Sequence, residues 1–81
     1  MNHQQIPKSR RQVLLEQARQ GIAASALHSD EWYAWHKFQA LINEGRAGIR
    51  SAVIRHLDEV DRVLGKPVAD EAKQFIGRED L

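Results

Sequence analysis

The sequence predicts an all-α protein, a small bundle of three to four short helices without a sheet. Apolar residues recur at spacings of three and four along most of the 81-residue chain, which is the period of a helix. No segment shows the apolar–polar alternation of a strand. Serines, glycines and Pro67 divide the chain into stretches of helical length. We therefore predict a single helical domain over 9–77, preceded by a flexible arm over 1–8 and followed by a frayed tail over 78–81.

The first helix is predicted over 9–27. Ser9 is a suitable N-cap, and Gln12 stands three residues later, as in a capping box. Gly21 either weakens this helix, by up to about 1 kcal/mol relative to alanine, or marks a close crossing with another helix. The apolar positions of the helix are Val13, Leu14, Leu15, Ala18, Ile22, Ala26 and Leu27.

The second helix is predicted over 30–44. Ser29 or Asp30 can cap it, because their side chains accept hydrogen bonds from the free N–H groups of a first turn. Gly45 and Gly48 then predict a turn, which folds the chain into an antiparallel hairpin. The alternative is one long helix that runs through both glycines. The apolar stripe of the second helix is Trp32, Trp35, Phe38, Leu41 and Ile42.

The third helix has the most regular apolar pattern in the chain. Its apolar residues are separated by four, four, three and four positions, which traces the narrow seam used in helical bundles. Gly65 ends this helix as a left-handed cap, and Pro67 follows it. A short fourth helix is predicted over 68–76, with Gly77 as its stop. The seam of the third helix consists of Ile49, Val53, Leu57, Val60 and Leu64.

Composition limits the classes of function. The chain has no cysteine, which excludes disulfides and thiolate metal sites. Its first residues lack the apolar core of a signal peptide, and no apolar run approaches the roughly 20 residues of a membrane-spanning helix. We therefore expect a cytoplasmic protein that does not enter a membrane. A domain this small rarely gains more than roughly 3–5 kcal/mol from its own core, so a homodimer is an expected form.

The residue patterns of catalysis and metal binding are missing. The four histidines do not form the His-Glu-x-x-His motif, and His56 and Glu59 stand in the reverse order of the Glu-x-x-His of di-iron bundles. The serines lack a Gly-x-Ser-x-Gly context, and a nucleotide-binding P-loop needs a strand before it. We expect no metal, no cofactor and no enzymatic activity.

Aromatic residues are concentrated between positions 32 and 38. Four aromatic rings in seven residues exceed what one helix face can hide in so small a domain. We predict that Trp35 and Phe38 are core residues. We predict that Trp32 and Tyr33, with His36 beside them, form a partner surface or a dimer surface, because Trp and Tyr dominate binding hot spots.

Arginines form a second pattern. Arg10 and Arg11 are predicted at the start of the first helix, and Arg46 and Arg50 at the start of the third, on one face. A cation at a helix N-terminus opposes the helix dipole at a cost of a few tenths of a kcal/mol. An anionic partner would favour such positions; the alternative is that these arginines are simply solvated.

One stretch of the chain resembles a known family. From Trp35 the sequence reads Trp-His-Lys-Phe-Gln-Ala-Leu-Ile-Asn-Glu-Gly-Arg-Ala-Gly, and Leu-Asp-Glu-Val follows at 57–60. This stretch, up to Val63, is similar to the toxin-wrapping part of small antitoxins of the ParD/RelB kind. The resemblance implies a protein that binds and neutralises a protein partner. The DNA-binding half of that family normally begins with a β-strand, and nothing before residue 30 looks like one.

The leading hypothesis is a non-enzymatic helical protein that binds and inhibits a protein partner, as small phage, plasmid or antitoxin regulators do. Its partner surface is predicted to consist of Trp32, Tyr33, His36, Arg46 and Arg50. A nucleic-acid-binding regulator is the first alternative, although acidic residues on the third helix count against it. A structural subunit of a larger assembly is the second. The predicted nucleic-acid surface is Arg10, Arg11, Arg46 and Arg50.

Overall fold

The computed structural model describes residues 7–81. Within this range there is no strand, and the predicted all-α fold class is confirmed. The arm predicted over 1–8 lies almost entirely outside the described residues. At its end, the Lys8 side chain pairs with Glu16 of the first helix at 2.8 Å. Four helices follow one another in the chain: α1 (Arg10–Ala24), α2 (Asp30–Glu44), α3 (Arg50–Leu64) and α4 (Lys66–Ile76).

Helix α1 begins through the predicted capping box. The Ser9 hydroxyl accepts from the Gln12 N–H at 3.2 Å, and the Gln12 side chain accepts from the Ser9 N–H at 3.0 Å. The helix ends at Ala24, three residues before its predicted end. The Ser25 hydroxyl donates to the Gly21 carbonyl at 2.7 Å, a local bond that competes with further helical pairing. Leu27 therefore leaves the apolar stripe in which the sequence placed it and is 72% exposed.

Helix α2 has the predicted bounds and lies at the centre of the bundle. Ser29 is its N-cap, and the Ser29 hydroxyl accepts from the Trp32 N–H at 3.2 Å. The helix packs against each of the other three helices. Its buried side chains are Ala34, Phe38, Leu41 and Ile42.

The chain turns between α2 and α3 as the two glycines predicted, so the alternative of one long helix is wrong. Gly45 is required there, because a Cβ would lie 2.8 Å from the Ile76 side chain of α4. Helix α3 begins only at Arg50, which makes Ile49 its N-cap and leaves it 76% exposed. The placement of Ile49 in the buried seam is therefore wrong, whereas Val53 and Val60 are buried as predicted.

Helices α3 and α4 are joined by a single residue, Gly65. Its φ of 100° is positive, but its ψ of 157° lies outside the left-handed helical region predicted for it. Helix α4 starts at Lys66, two residues before its predicted start, with Pro67 in its first turn. Gly77 ends α4 as a left-handed cap, at φ 63° and ψ 26°.

The last residues are packed on the domain, in contrast to the frayed tail expected over 78–81. Arg78 donates to the Gly45 carbonyl at 3.1 Å and to the Gly48 carbonyl at 2.5 Å. It also pairs with Asp80 at 2.6 Å, and Leu81 packs against the core. The tail therefore joins the end of α4 to the turn between α2 and α3.

Consecutive helices run antiparallel, which gives the bundle two ends. Arg11 at the start of α1 donates to Asn43 near the end of α2 at 2.8 Å. Lys37 of α2 pairs with Glu59 of α3 at 2.7 Å, and Lys66 at the start of α4 shares a cleft with Asp61 near the end of α3. The starts of α1 and α3 thus lie beside the ends of α2 and α4. No helix within residues 7–81 is long and apolar enough to cross a membrane.

Candidate functional site

An aromatic surface at the start of α2 is the strongest candidate site. The Trp32 ring lies edge-on to Tyr33, with centroids 5.0 Å apart, and tilted against His36, with centroids 4.2 Å apart. The His28 ring stacks on Tyr33 at 5.9 Å and meets Trp32 edge-on at 5.1 Å. These four rings pack on one another. The aromatic surface is defined as these rings together with the neighbouring Leu27: Leu27, His28, Trp32, Tyr33 and His36.

The helical period explains why these rings face outward. Successive residues of α2 are rotated by roughly 100°, so buried Phe38 and Leu41 share the face that meets the other helices. The same rotation centres Trp32, Tyr33 and His36 on the opposite face. Tyr33 is 44% exposed, and Trp32 and His36 are half-buried because each covers part of the other. The bundle therefore does not use these rings to fill its core.

Two histidines of the aromatic surface carry features that folding alone does not favour. The Nε2 atom of His36 is buried and has no hydrogen-bond partner within the described part of the chain, which is costly for a polar atom. His28 has a φ of 64°, in the left-handed region that residues other than glycine rarely adopt. Strained backbone and unsatisfied polar atoms concentrate at functional sites. The His36 atom favours a binding role for this surface, whereas the turn closed by the Ser29 N–H and the Ala26 carbonyl accounts for the backbone of His28.

The two aromatic residues predicted for the core are found there. Phe38 is fully buried, and Trp35 packs against the core with its ring edge-on to Phe38 at 5.5 Å. Trp35 covers Gly21 of α1 so closely that a Cβ at Gly21 would lie 2.2 Å from the indole. Gly21 therefore marks a close helix crossing, the second of the two readings that the sequence left open.

The structure separates the two halves of the predicted partner surface. Trp32, Tyr33 and His36 lie in the first half of α2, whereas Arg46 and Arg50 lie beyond its other end. Trp32 and Glu44 alone are twelve residues apart, which is about 18 Å along a helix axis. The five residues therefore form two groups at different ends of α2, and their joint role in one contact surface stays a prediction. Arg46 is also not at the start of α3, because that helix begins at Arg50.

The arginines do come together at the end of the bundle opposite the aromatic surface. Arg11 and Arg46 line the same cleft, of about 260 Å³, beside Phe75 and Ile76 of α4. Arg50 and Arg78 both bond to Asp80, through its backbone carbonyl and its carboxylate respectively. This arginine end comprises Arg10, Arg11, Arg46, Arg50 and Arg78.

Most of these arginines have partners within the chain. Arg10 pairs with Glu71 of α4 at 2.7 Å, and Arg11 and Arg50 donate to Asn43 and Asp80. Arg46 follows the end of α2, and its guanidinium lies beside Gly77 at the end of α4. A cation is favourable near the negative ends of helix dipoles. The expectation that these positions do not help folding is therefore wrong for Arg46. For Arg10 and Arg50, hydrogen bonds within the chain offset the cost of placing a cation at a helix N-terminus.

Hydrogen bonds and burial shift the pKa values of several groups in α1, α3 and the tail. The Arg78 guanidinium lowers the pKa of Asp80, and Lys8 lowers that of Glu16, in both cases by a hydrogen bond to the carboxylate. Burial, reinforced by Lys37 and Arg55, lowers the pKa of His56. Residues 7–81 contain no group of three or more His, Asp or Glu side chains arranged to hold a metal ion.

Sequence reasoning missed three residues of these regions. Leu27 and His28 were assigned to a helix end and a joint, and Arg78 to a loose tail. The sequence did indicate Ser29 as the cap of α2, which places His28 one residue before the cap. The apolar pattern did not indicate that α1 ends at Ala24. The role of Arg78 depends on a turn thirty residues away, which spacing along the chain does not reveal.

Comparison with known proteins adds no relative. No family model, no curated protein and no solved structure matches the chain. The resemblance of the stretch after Trp35 to ParD/RelB antitoxins therefore stays a prediction.

Proposed function

We propose that the protein binds and regulates a protein partner through the aromatic surface, without catalysis, as a cytoplasmic regulator. The observation that carries this proposal is the position of Trp32 and Tyr33. Both rings lie on the face of α2 opposite its buried residues; Tyr33 is 44% exposed and Trp32 is partly buried. Large, rigid rings bury much area at little cost in entropy when a partner covers them. Neutralisation by occlusion, as in small antitoxins, is the form of regulation that we favour.

The features of His28 and His36 support the same proposal. A partner group that accepts or donates a hydrogen bond at His36 Nε2 would satisfy the atom that has no partner within residues 7–81. The left-handed backbone at His28 holds its ring against Tyr33, so the surface is preorganised before binding. Preorganisation lowers the entropic cost of association.

The test is a comparison of baits. Wild-type protein, Trp32→Ala, Tyr33→Ala and Val13→Ala are used for affinity capture from host lysate; Val13 lies on α1 outside the aromatic surface and, at 40% exposed, is the control for Tyr33 at 44%. A captured protein is then purified, and its affinity for each variant is measured by calorimetry. We expect Trp32→Ala to weaken binding by about 2 kcal/mol or more and Val13→Ala to leave it unchanged. Equal affinity of all four baits for every captured protein contradicts the proposal.

A nucleic-acid-binding regulator is the second candidate, because the structure brings Arg10, Arg11, Arg46 and Arg50 to one end of the bundle. Phosphate contacts predict binding that weakens steeply between about 50 and 200 mM salt. Arg46→Ala should weaken it further. Absence of binding to duplex and single-stranded oligonucleotides at low salt, measured by fluorescence anisotropy, removes this candidate.

A further inference from the structure

Two carboxylates lie beside the aromatic surface. Asp30 and Glu31 form the start of α2 and directly precede Trp32 and Tyr33 in the chain. Asp30 is three positions before Tyr33, a spacing that makes two side chains of a helix neighbours, with roughly 5–6 Å between their Cβ atoms. Both carboxylates are exposed, and neither forms an ion pair within residues 7–81. An exposed aromatic ring and unpaired negative charge therefore stand side by side.

The bundle does not neutralise this negative charge. The helix dipole stabilises carboxylates at a helix N-terminus, but it does not supply them with a counter-ion. Helix α2 contains a single lysine, Lys37, and no arginine. Lys37 is four residues after Tyr33, but it pairs with Glu59 of α3 at 2.7 Å. The cations of the arginine end lie beyond the other end of α2.

We propose that the aromatic surface binds a basic segment of its protein partner, with an arginine or lysine cation placed on the Tyr33 ring and paired with Asp30. This inference rests on the proposed function and names the chemistry of the partner. Cations are attracted to the faces of Trp and Tyr rings within about 6 Å of the ring centroid. A carboxylate beside the ring adds a Coulomb attraction, so a cationic side chain is favoured over a neutral one.

The same charges disfavour the other occupants of this surface. An acidic segment or a phosphate backbone would bring negative charge against Asp30 and Glu31, and like charges placed together weaken binding and exclude wrong partners. The arginines that such ligands require line a cleft at the other end of the bundle. A basic segment is attracted by both carboxylates, and its apolar stems can lie on the rings while the charged groups stay near water.

The first test determines which residues the surface selects. The immobilised full chain is used to select from a phage-displayed library of random dodecapeptides, with counter-selection on Trp32→Ala, whose fold is checked by circular dichroism. Peptides that bind the wild type but not Trp32→Ala are expected to share an arginine or lysine. Replacing that residue by alanine in the synthetic peptide should weaken binding by roughly 10-fold.

The second test removes the charge from the protein. The double variant Asp30→Asn, Glu31→Gln should bind the selected peptide roughly 5-fold more weakly in fluorescence anisotropy, and the difference should shrink at high salt. Asp58→Asn with Asp61→Asn is the matched control. It changes the net charge equally, and both aspartates are exposed, but they line the cleft between α3 and α4. Asp30→Glu with Glu31→Asp keeps both charges and should retain the affinity.

The outcomes separate this inference from the proposed function. Peptides that depend on Trp32 but share no cation overturn the assignment of a basic partner and leave the proposed function in place. Equal affinities of the two charge-removing double variants also overturn it, as does a library that yields no peptide dependent on Trp32. The proposed function fails only if the captured protein binds Trp32→Ala and Tyr33→Ala as tightly as the wild type.

Discussion

The aromatic surface and the arginine end both contain residues that appeared superfluous to folding, but the fold uses them differently. At the arginine end, Arg10 reaches Glu71, Arg50 and Arg78 reach Asp80, and Arg46 lies beside the ends of α2 and α4. At the aromatic surface, the rings of Trp32, Tyr33 and His36 contact one another, and Tyr33 stays 44% exposed. Charges are thus largely compensated within the chain, whereas the aromatic area is not.

The difference shows which of the two kinds of residue, arginine or aromatic, is the better indication of a binding function. A long arginine side chain has many in-chain acceptors within reach once helices pack antiparallel, so a cluster of arginines in the sequence need not indicate a ligand. An aromatic ring on the outer face of the central helix is too short and rigid to reach partners in the chain in this way. Of the two patterns in the sequence, the aromatic one is therefore the better guide to function.

The largest predicted effect tests whether Trp35 is a core residue, in contrast to the aromatic residues at the surface. Gly21→Ala should improve helix propensity, but its Cβ would lie 2.2 Å from the Trp35 indole. Overpacking costs roughly 1–3 kcal/mol, and we expect the Tm to fall by about 5 °C or more in a thermal melt followed by circular dichroism.

A double variant checks the cause of that fall. Trp35→Leu removes the indole, so Gly21→Ala should cost much less in its presence, and the two changes should be non-additive. Gln20→Ala, on the exposed side of the same turn, should change the Tm little. A higher Tm for Gly21→Ala would show that Trp35 is free to move away and is no more a core residue than Trp32.

The next effect tests whether the arginine end is structural. Arg78→Ala removes the hydrogen bonds to the Gly45 and Gly48 carbonyls and the pair with Asp80. We expect a fall in Tm of roughly 4–8 °C, with Arg78→Lys intermediate because lysine lacks the planar fork that spans two acceptors. Exposed Arg62 has no such bonds within residues 7–81, and Arg62→Ala should leave the Tm nearly unchanged. If Arg78→Ala and Arg62→Ala change the Tm by the same amount, the tail over 78–81 does not stabilise the turn between α2 and α3.

Local signals in the sequence predicted the helices, and contacts between distant residues explain what it missed. The Ser9 capping box, the bounds of α2 and the two-glycine turn depend on residues within four positions of one another, and all three were predicted. The end of α1 follows from the bond of the Ser25 hydroxyl to the Gly21 carbonyl, which the apolar pattern did not reveal. The positions of Ile49 and Arg46 follow from the start of α3 at Arg50. The docking of Arg78 depends on a turn thirty residues away. For the site, the sequence identified Trp32, Tyr33 and His36 as surplus but joined them to arginines that the antiparallel fold places at the other end.

The smallest predicted effect concerns pH and lies between the two ends, at His56. Burial, with Lys37 and Arg55 adding to it, lowers the pKa of His56 below its usual 6.5, although Glu59 acts in the opposite direction. The unfolded chain therefore binds more protons than the folded chain as pH falls below about 6.5, so this group makes folding less favourable on acidification. We expect the wild type to lose more stability than His56→Gln between pH 7.5 and 5.5, measured by urea unfolding. Because charged Lys37 and Arg55 act on His56, salt is held constant across the series. Identical pH profiles for the two proteins would mean that water reaches the His56 side chain as easily in the folded protein as in the unfolded chain.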